Sequence, residues 1–423
     1  MTGDERHGAP APVLAAALVR AREAAGLTQG ELAERSGLSV RAIRNLETGR
    51  TARPRRQSLV LLTGALGLPA REAGRLLGAG HPATAPEPPA PAELPAAPRH
   101  RLAGRGAVLA DLTAHLTRPS PGQRWPAVVV GPPGAGKTAL VLRAAHEVRG
   151  RFPDGQVFVD LHPASRLPVT ADTLVRRVLR SLGGVPAPES PEEARARLRD
   201  TLSRRRALIV LDNADSEAQV RPLLVDDARG AVLVAARCEL FALPTLLRRR
   251  IGPLEPQDAH RMLAAQVGAE RLRAERRAGA ALVEACAGLP LALHIAGLWL
   301  AARPGRSPAD LADRLADEGE RLRVLRVGDL SVWSSVTAYH RALPPPLRTA
   351  LRQLLPVARD FGIEEMTAHV TPDRSHAVDL LEELLHRQLV EPGRPDRAGR
   401  VRHRLYDAVR LYVAHGAAAR RTR

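Results

Sequence analysis

Lysine is nearly missing from this chain of 423 residues: Lys137 is its one lysine, and every other member of its 63 basic residues is arginine. A GC-rich genome favours arginine, alanine, glycine and proline codons. Against that pressure a lysine survives where a compact point charge is needed and a wide planar fork does not fit. Aromatic residues are scarce too, at 2%. So few rings leave little for base stacking, which argues against a dedicated single-strand or RNA binder. Only two cysteines occur, Cys238 and Cys286, with no CxxC spacing. That argues against a zinc ribbon or a disulfide framework and fits a reducing compartment. No apolar run reaches membrane-spanning length; the best, "LPLALHIAGLWLAA", is short and carries His294. The N-terminal "VLAAALV" is also short and follows Asp4 and Glu5, unlike a signal peptide. A cytoplasmic protein with no membrane partner is expected. No repeat of about twenty to fifty residues is visible, so no solenoid is expected.

What is present is charge and apolar content. The net charge is +18 and the hydrophobic fraction 44%. Such a balance suggests an acidic partner such as nucleic acid, although GC-driven arginine on solvated faces inflates it. The length suits about two to four domains. One low-complexity stretch, "HPATAPEPPAPAELPAAPRH", alternates proline and alanine. It predicts an extended linker over 81–99.

Before it, residues 1–80 read as helix throughout. Val13–Ala25 is periodic and stops at Gly26, and "LTQGELAERSGLSVRAIRNLETGR" gives two helices joined by a tight turn. Thr28 with Glu31 forms a capping box, Gly37 allows the reversal, and Ser39 caps the second helix. On that second helix Arg41, Arg44 and Asn45 share an arc, opposite Val40, Ile43 and Leu46 on the expected core side. In a helix-turn-helix, Arg reads guanine and Asn reads adenine in the major groove. Gln29 is expected on a backbone phosphate, and "GRTARPRR" adds Arg50 and Arg53 for further phosphates. Further helices are expected at Gln57–Leu66 and near Arg71–Leu77. A purely protein-contacting helical domain remains the competing reading of these arginines.

After the linker, apolar runs at Ala127–Val130, Gln156–Asp160, Ala207–Leu211, Ala231–Ala235 and Arg250–Ile251 alternate with helical stretches. This pattern predicts a parallel α/β sheet. The chain then becomes helical, with one hairpin expected around Leu389–Leu405. "VVVGPPGAGKTAL" completes G-x-x-x-x-G-K-[ST] between strand and helix, through Gly131, Gly136, Lys137 and Thr138, with Gly134 within the loop. Glycines let backbone N–H groups close on phosphates, lysine reaches the β- and γ-phosphates, and the hydroxyl serves Mg²⁺. "RRALIVLDNAD" ends a strand in Asp212, the expected second holder of Mg²⁺. Its successor Asn213 is a poor base where many hydrolytic relatives of this motif place a carboxylate. ATP or ADP with Mg²⁺ are the expected ligands, and no catalytic base is assigned.

Residues 13–77 resemble the Cro/repressor-like helix-turn-helix family, through the turn quoted above and "LLTGALGL". Residues of about 100–415 resemble an NB-ARC module of the STAND class of signalling NTPases, of the kind found in bacterial regulators of secondary metabolism. In "RLAGRG" the resemblance places Arg105 near the nucleotide, with Gly106 where a Glu is usual. In "VLVAARCEL" it turns Arg237 to the γ-phosphate, with Ala235 and Ala236 in place of hydroxyl residues. In "GLPLAL" it sets Pro290 on the adenine; read from residues alone, this is an apolar helix start with proline in its first turn. "RLYDAVRLY" resembles "RLHDLLRLY", whose histidine contacts the ADP β-phosphate; Tyr406 stands there, followed by Asp407.

A multidomain chain is therefore expected: an all-α helix-turn-helix head over 1–80, the linker, and a P-loop NTPase domain with a parallel sheet over 100–252. A helical domain over 253–325 and a winged-helix domain over 326–423 complete it. The expected function is a nucleotide-switched regulator of double-stranded DNA. It hydrolyses slowly, forms a homo-oligomer in its ATP state, and receives its signal through its own surface or an unidentified sensor partner. The alternative is a signalling or defence adaptor whose helix-turn-helix docks protein; a working ATPase is weaker, because Asn213 is a poor base.

Overall fold

In a computed structural model, the chain forms two compact units, 1–89 and 90–423. The residues described are 11–51, 56–68, 72, 90–98, 101–118, 126–162, 169–183, 188, 190–244, 247–357 and 360–421. The expected helix near Arg71–Leu77 lies almost wholly outside them.

The first unit holds α1 (Ala11–Ala24), α2 (Gln29–Ser36), α3 (Val40–Glu47) and α4 (Arg56–Ala65). Thr28 and Glu31 close the capping box that opens α2, and Gly37 ends it in the left-handed region at φ +71°. Ser39 accepts from the Ala42 amide to start α3. Leu18, Leu32, Ile43, Leu46, Leu59 and Leu62 meet in a closed core. Val40, expected on that core side, is instead 40% exposed. It sits at the first position of α3, before the helix has turned its apolar stripe inward. Glu47 ties the unit together. It accepts from Arg22 Nε of α1 at 2.7 Å and from Gln29 Nε2 of α2 at 2.7 Å.

In the second unit α5 (Gly106–Thr117) leads into β1 (Ala127–Val130), α6 (Lys137–Val148) and β2 (Gln156–Asp160). Then come α7 (Ala171–Ser181), α8 (Pro191–Arg204), β3 (Leu208–Ala214), the short α9 (Glu217–Val220), β4 (Ala231–Ala236) and β5 (Leu247–Arg250). The five strands are all parallel in the order β2-β3-β4-β1-β5. All four residues of β1 are buried, as a central strand covered on both faces requires. β5 begins earlier than its apolar residues suggest, because an edge strand tolerates Arg248, Arg249 and Arg250. β3 runs on past Leu211 to Ala214, carrying Asp212 and Asn213 within the strand.

Part of the expected linker is not a free spacer. Ala92 bridges Gln156 of β2, and Glu93 pairs with Arg177 at 2.9 Å. A Cβ on Gly155 would lie 2.4 Å from Pro91 Cδ, so glycine is what lets this strap seat on the sheet edge.

The rest is mostly helix: α10 (Pro256–Val267), α11 (Ala269–Ala274), α12 (Arg276–Ala285), α13 (Pro290–Ala301), α14 (Pro308–Ala316) and α15 (Glu318–Val324). A two-residue hairpin, β6 (Arg326–Val327) with β7 (Leu330–Ser331), precedes α16 (Val332–Ala342), α17 (Pro345–Gln353), α18 (Ile363–His369) and α19 (Arg374–His386). The hairpin expected near Leu389–Leu405 is β8 (Val390–Pro392) with β9 (His403–Leu405), followed by α20 (Asp407–Arg421). One cluster of buried side chains runs from Leu254 to Val413, so the border expected near 325 crosses a common core.

Replacing Glu47 by alanine leaves Arg22 and Gln29 without their shared acceptor. Thermal denaturation should show Glu47→Ala destabilising the first unit by about 1–3 kcal/mol, and an unchanged transition would remove Glu47 as its tie.

Candidate nucleotide and nucleic-acid sites

β1 delivers the chain to the Gly131–Gly136 loop, and α6 starts directly after it with Lys137. A Cβ on Gly131 would stand 2.1 Å from the Ile251 carbonyl oxygen, and one on Gly134 2.9 Å from Leu289 Cδ2. Gly136 caps α6 at φ +88°. The loop is thus a cradle open only to glycine, aimed along a helix N-terminus that favours anions. Leu291 N donates to Gly134 O at 3.1 Å, so the start of α13, with Pro290 at its first position, closes on the loop.

Lys137 is only 8% exposed. Its Nζ donates to Gly131 O at 2.7 Å, to Pro132 O at 3.0 Å and to the Tyr339 hydroxyl. Burial pushes its pKa down to about 7, with Asp212 opposing and Arg237 adding to the fall. Thr138 Oγ1 lies 2.9 and 3.0 Å from the two carboxylate oxygens of Asp212. Burial raises the Asp212 pKa against the hydrogen bond from Thr138. The sequence motif and the strand-end carboxylate, 74 residues apart, are therefore in direct contact.

Beside them lies a network that sequence reading missed. Asp160, the register partner of Asp212, accepts from Asn213 Nδ2 at 2.9 Å and from the His162 amide at 3.0 Å. The other end of the Asn213 amide accepts from Arg237 Nε at 3.2 Å. Asn213 sits at φ +61°, a region asparagine tolerates better than most residues. An amide donates at one end and accepts at the other, which a carboxylate cannot do. That accounts for asparagine here, one of only two in the chain, the other being Asn45. Because β4 lies between β1 and β3, Arg237 leaves the sheet between the phosphate loop and Asp212.

Lys137, Thr138 and Asn213 line a cavity of about 740 Å³, within the range of ligand pockets. Arg105, Gly134, Pro290 and Tyr339 line it as well. Arg105 donates to Gly252 O, and burial lowers its pKa from the ordinary value. The glycine cradle, the buried ammonium and the Thr138–Asp212 pair fit a phosphate chain with a hydrated Mg²⁺. Tyr406 and Asp407 do not line this cavity. They border a separate, smaller one with Pro133, Pro253 and Arg321, where burial pushes the phenol up to about 12. The tyrosine at the lysine is Tyr339, 202 residues away in sequence. A search of the chain's three tyrosines could have raised it; no local pattern does.

On the first unit, Arg41, Arg44 and Arg50 are exposed and Asn45 is half-buried. Ser39 is used as a helix cap. Gln29 donates its amide to Glu47 within the unit. Arg53 lies outside the described residues.

Residues 18–72 match a helix-turn-helix family and residues 122–227 an AAA domain family. The chain joins a helix-turn-helix domain to an AAA-type P-loop domain. Two curated relatives are both "Regulatory protein AfsR". The Streptomyces griseus protein is 38% identical over 326 residues, and that of Streptomyces coelicolor 37% over 331. Each alignment covers 76% of this chain and 33% of the relative, so the chain spans about a third of those proteins' length. The Walker-type ATPase PABY2304 of Pyrococcus abyssi shares the fold at 14% identity, with a TM-score of 0.51 over 75% of this chain and 97% of its own. Among the described residues no helix is long and apolar enough to cross a membrane.

In the P-loop domain, Asn213→Asp should set a second carboxylate against Asp160 and remove the donor that now joins them. Chemical denaturation should register about 1–3 kcal/mol of lost stability. An unaffected domain would show that the amide bridge contributes nothing.

Proposed function

We propose that this chain is a cytoplasmic DNA-binding transcription regulator whose assembly is set by ATP and ADP. One observation carries the reading: the chain that bears exposed Arg41 and Arg44 beside half-buried Asn45 on a helix-turn-helix also bears a phosphate cradle. Lys137 and Arg237 would neutralise the terminal phosphates, Thr138 and Asp212 would hold Mg²⁺, and Arg105 and Pro290 would border the nucleoside. Mg²⁺ held there would supply charge neutralisation to the phosphate chain. Asn213 already spans Asp160 and Arg237 and takes no proton from water. General-base help is worth roughly 10²–10⁴-fold, so hydrolysis without it is slow and suits a timer. The triphosphate state would assemble into a homo-oligomer on double-stranded DNA, under a signal from an unidentified sensor partner.

Two measurements test this. Calorimetric titration should show ADP and ATP binding lost in Lys137→Ala and impaired in Lys137→Arg, whose fork does not fit where one ammonium meets three oxygens; full affinity in the arginine variant would contradict the lysine's role. In mobility shifts, Arg44→Ala or Asn45→Ala should cost about 1–3 kcal/mol on a preferred site and little on random DNA. Arg50→Ala should weaken both alike. Equal effects of all three on every sequence would leave a domain that docks protein or binds DNA without reading it.

A further inference from the structure

Tyr339 lies within α16, buried, and one turn of that helix meets both Lys137, which lines the cavity, and Arg237. Its hydroxyl accepts from Lys137 Nζ and lies 3.4 Å from Gly131 O as donor. Its ring centre is 5.0 Å from Lys137 Nζ and 5.2 Å from Arg237 Cζ. The preceding carbonyl, Ala338 O, accepts from Arg237 Nη1 at 3.4 Å. The phenol therefore meets both cations, offering its oxygen to the Lys137 ammonium and its ring to the Arg237 guanidinium.

In a P-loop site the lysine reaches the β- and γ-phosphates, and a second cation steadies the charge at the terminal one. A γ-phosphate bridging Lys137 and Arg237 needs the volume that the phenol fills. A diphosphate ends one phosphate short of it. Building on the nucleotide reading above, we propose that Tyr339 stands in for the terminal phosphate. The closed chain is then selective for a nucleoside diphosphate, and a triphosphate binds only when α16 withdraws.

Withdrawal has consequences that the packing specifies. α16 stacks on α20 through Trp333 and Tyr412, ring centres 4.4 Å apart, and through His340 and Tyr412 at 5.1 Å. Two residues beyond Arg237, buried Glu239 holds the end of α19. It accepts from Gln388 Nε2 at 2.7 Å, and its amide donates to His386 O at 3.2 Å. The C-terminal region thus grips the P-loop domain at a second point besides α16. Tyr406 takes no part in this contact, since it borders the separate cavity beside Pro133.

The test compares the full-length chain with Tyr339→Ala and Tyr339→Phe. Each is titrated calorimetrically with Mg·ADP and with Mg and a non-hydrolysable ATP analogue, and hydrogen exchange is followed over 332–342. Wild type should prefer the diphosphate, and the analogue alone should speed exchange in α16. Tyr339→Ala should shift the preference toward the triphosphate by about tenfold or more, the worth of one charge-assisted contact. Tyr339→Phe, which keeps the ring and loses the hydroxyl, should shift it the same way by less; if the alanine variant does not fold, this variant and the wild-type exchange decide. An unaltered preference in variants that bind both nucleotides overturns the role of Tyr339 alone, as does weaker triphosphate binding without the phenol. Failure of wild type to bind either nucleotide overturns the nucleotide reading, and this proposal with it.

Discussion

A positive charge buried at the end of a parallel sheet must be met by oxygens or be expelled to water. Lys137 is that charge, and much of the second unit is arranged to meet it. The glycine loop turns the carbonyls of Gly131 and Pro132 onto its Nζ, and the sheet brings Asp212 near enough to favour the ammonium. Neither source completes the set. The third oxygen comes from Tyr339, so the phosphate loop in its present form depends on a helix encoded 202 residues later.

The same dependence recurs along the face of the sheet. Arg237 is held by Asn213 on its own domain and by Ala338 O on α16. Glu239, 2% exposed, is shared between Arg250 of β5 and Gln388 beyond α19. A buried carboxylate with one cation and one amide is costly to uncover from either side. Because the side chains from Leu254 to Val413 form one core, these ties link the P-loop domain to a single packed body. Such an arrangement suits a two-state device, since packed interfaces hold discrete positions more readily than intermediate ones.

How much of this the sequence reveals depends on how local each constraint is. The phosphate loop, the Thr28–Glu31 box, the Gly37 turn and the β8–β9 hairpin are set by neighbours in sequence, and the structure has them where residue spacing puts them. Asp212 is readable because an apolar strand ending in a carboxylate is itself a local pattern. Gln29 is different: its partner Glu47 lies one helix away, and exposure to DNA cannot be told from a bond across the unit by periodicity. Proline-rich residues 90–98 read as spacer, yet Gly155 opens a seat for Pro91 on the sheet edge that only the folded backbone reveals. Tyr406 attracts attention through its resemblance to a histidine position. The tyrosine that reaches Lys137 follows no motif, because its place is fixed by how α16 packs across the cavity.

On the function proposed above, what occupies the phosphate site would decide whether the C-terminal region stays closed on it, and closure would decide assembly. Light scattering on the full-length chain addresses that claim most directly, first with Mg·ADP and then with Mg and a non-hydrolysable ATP analogue. A monomer's mass with ADP and a larger, defined mass with the analogue is the predicted result. The same mass in both nucleotide states would contradict it.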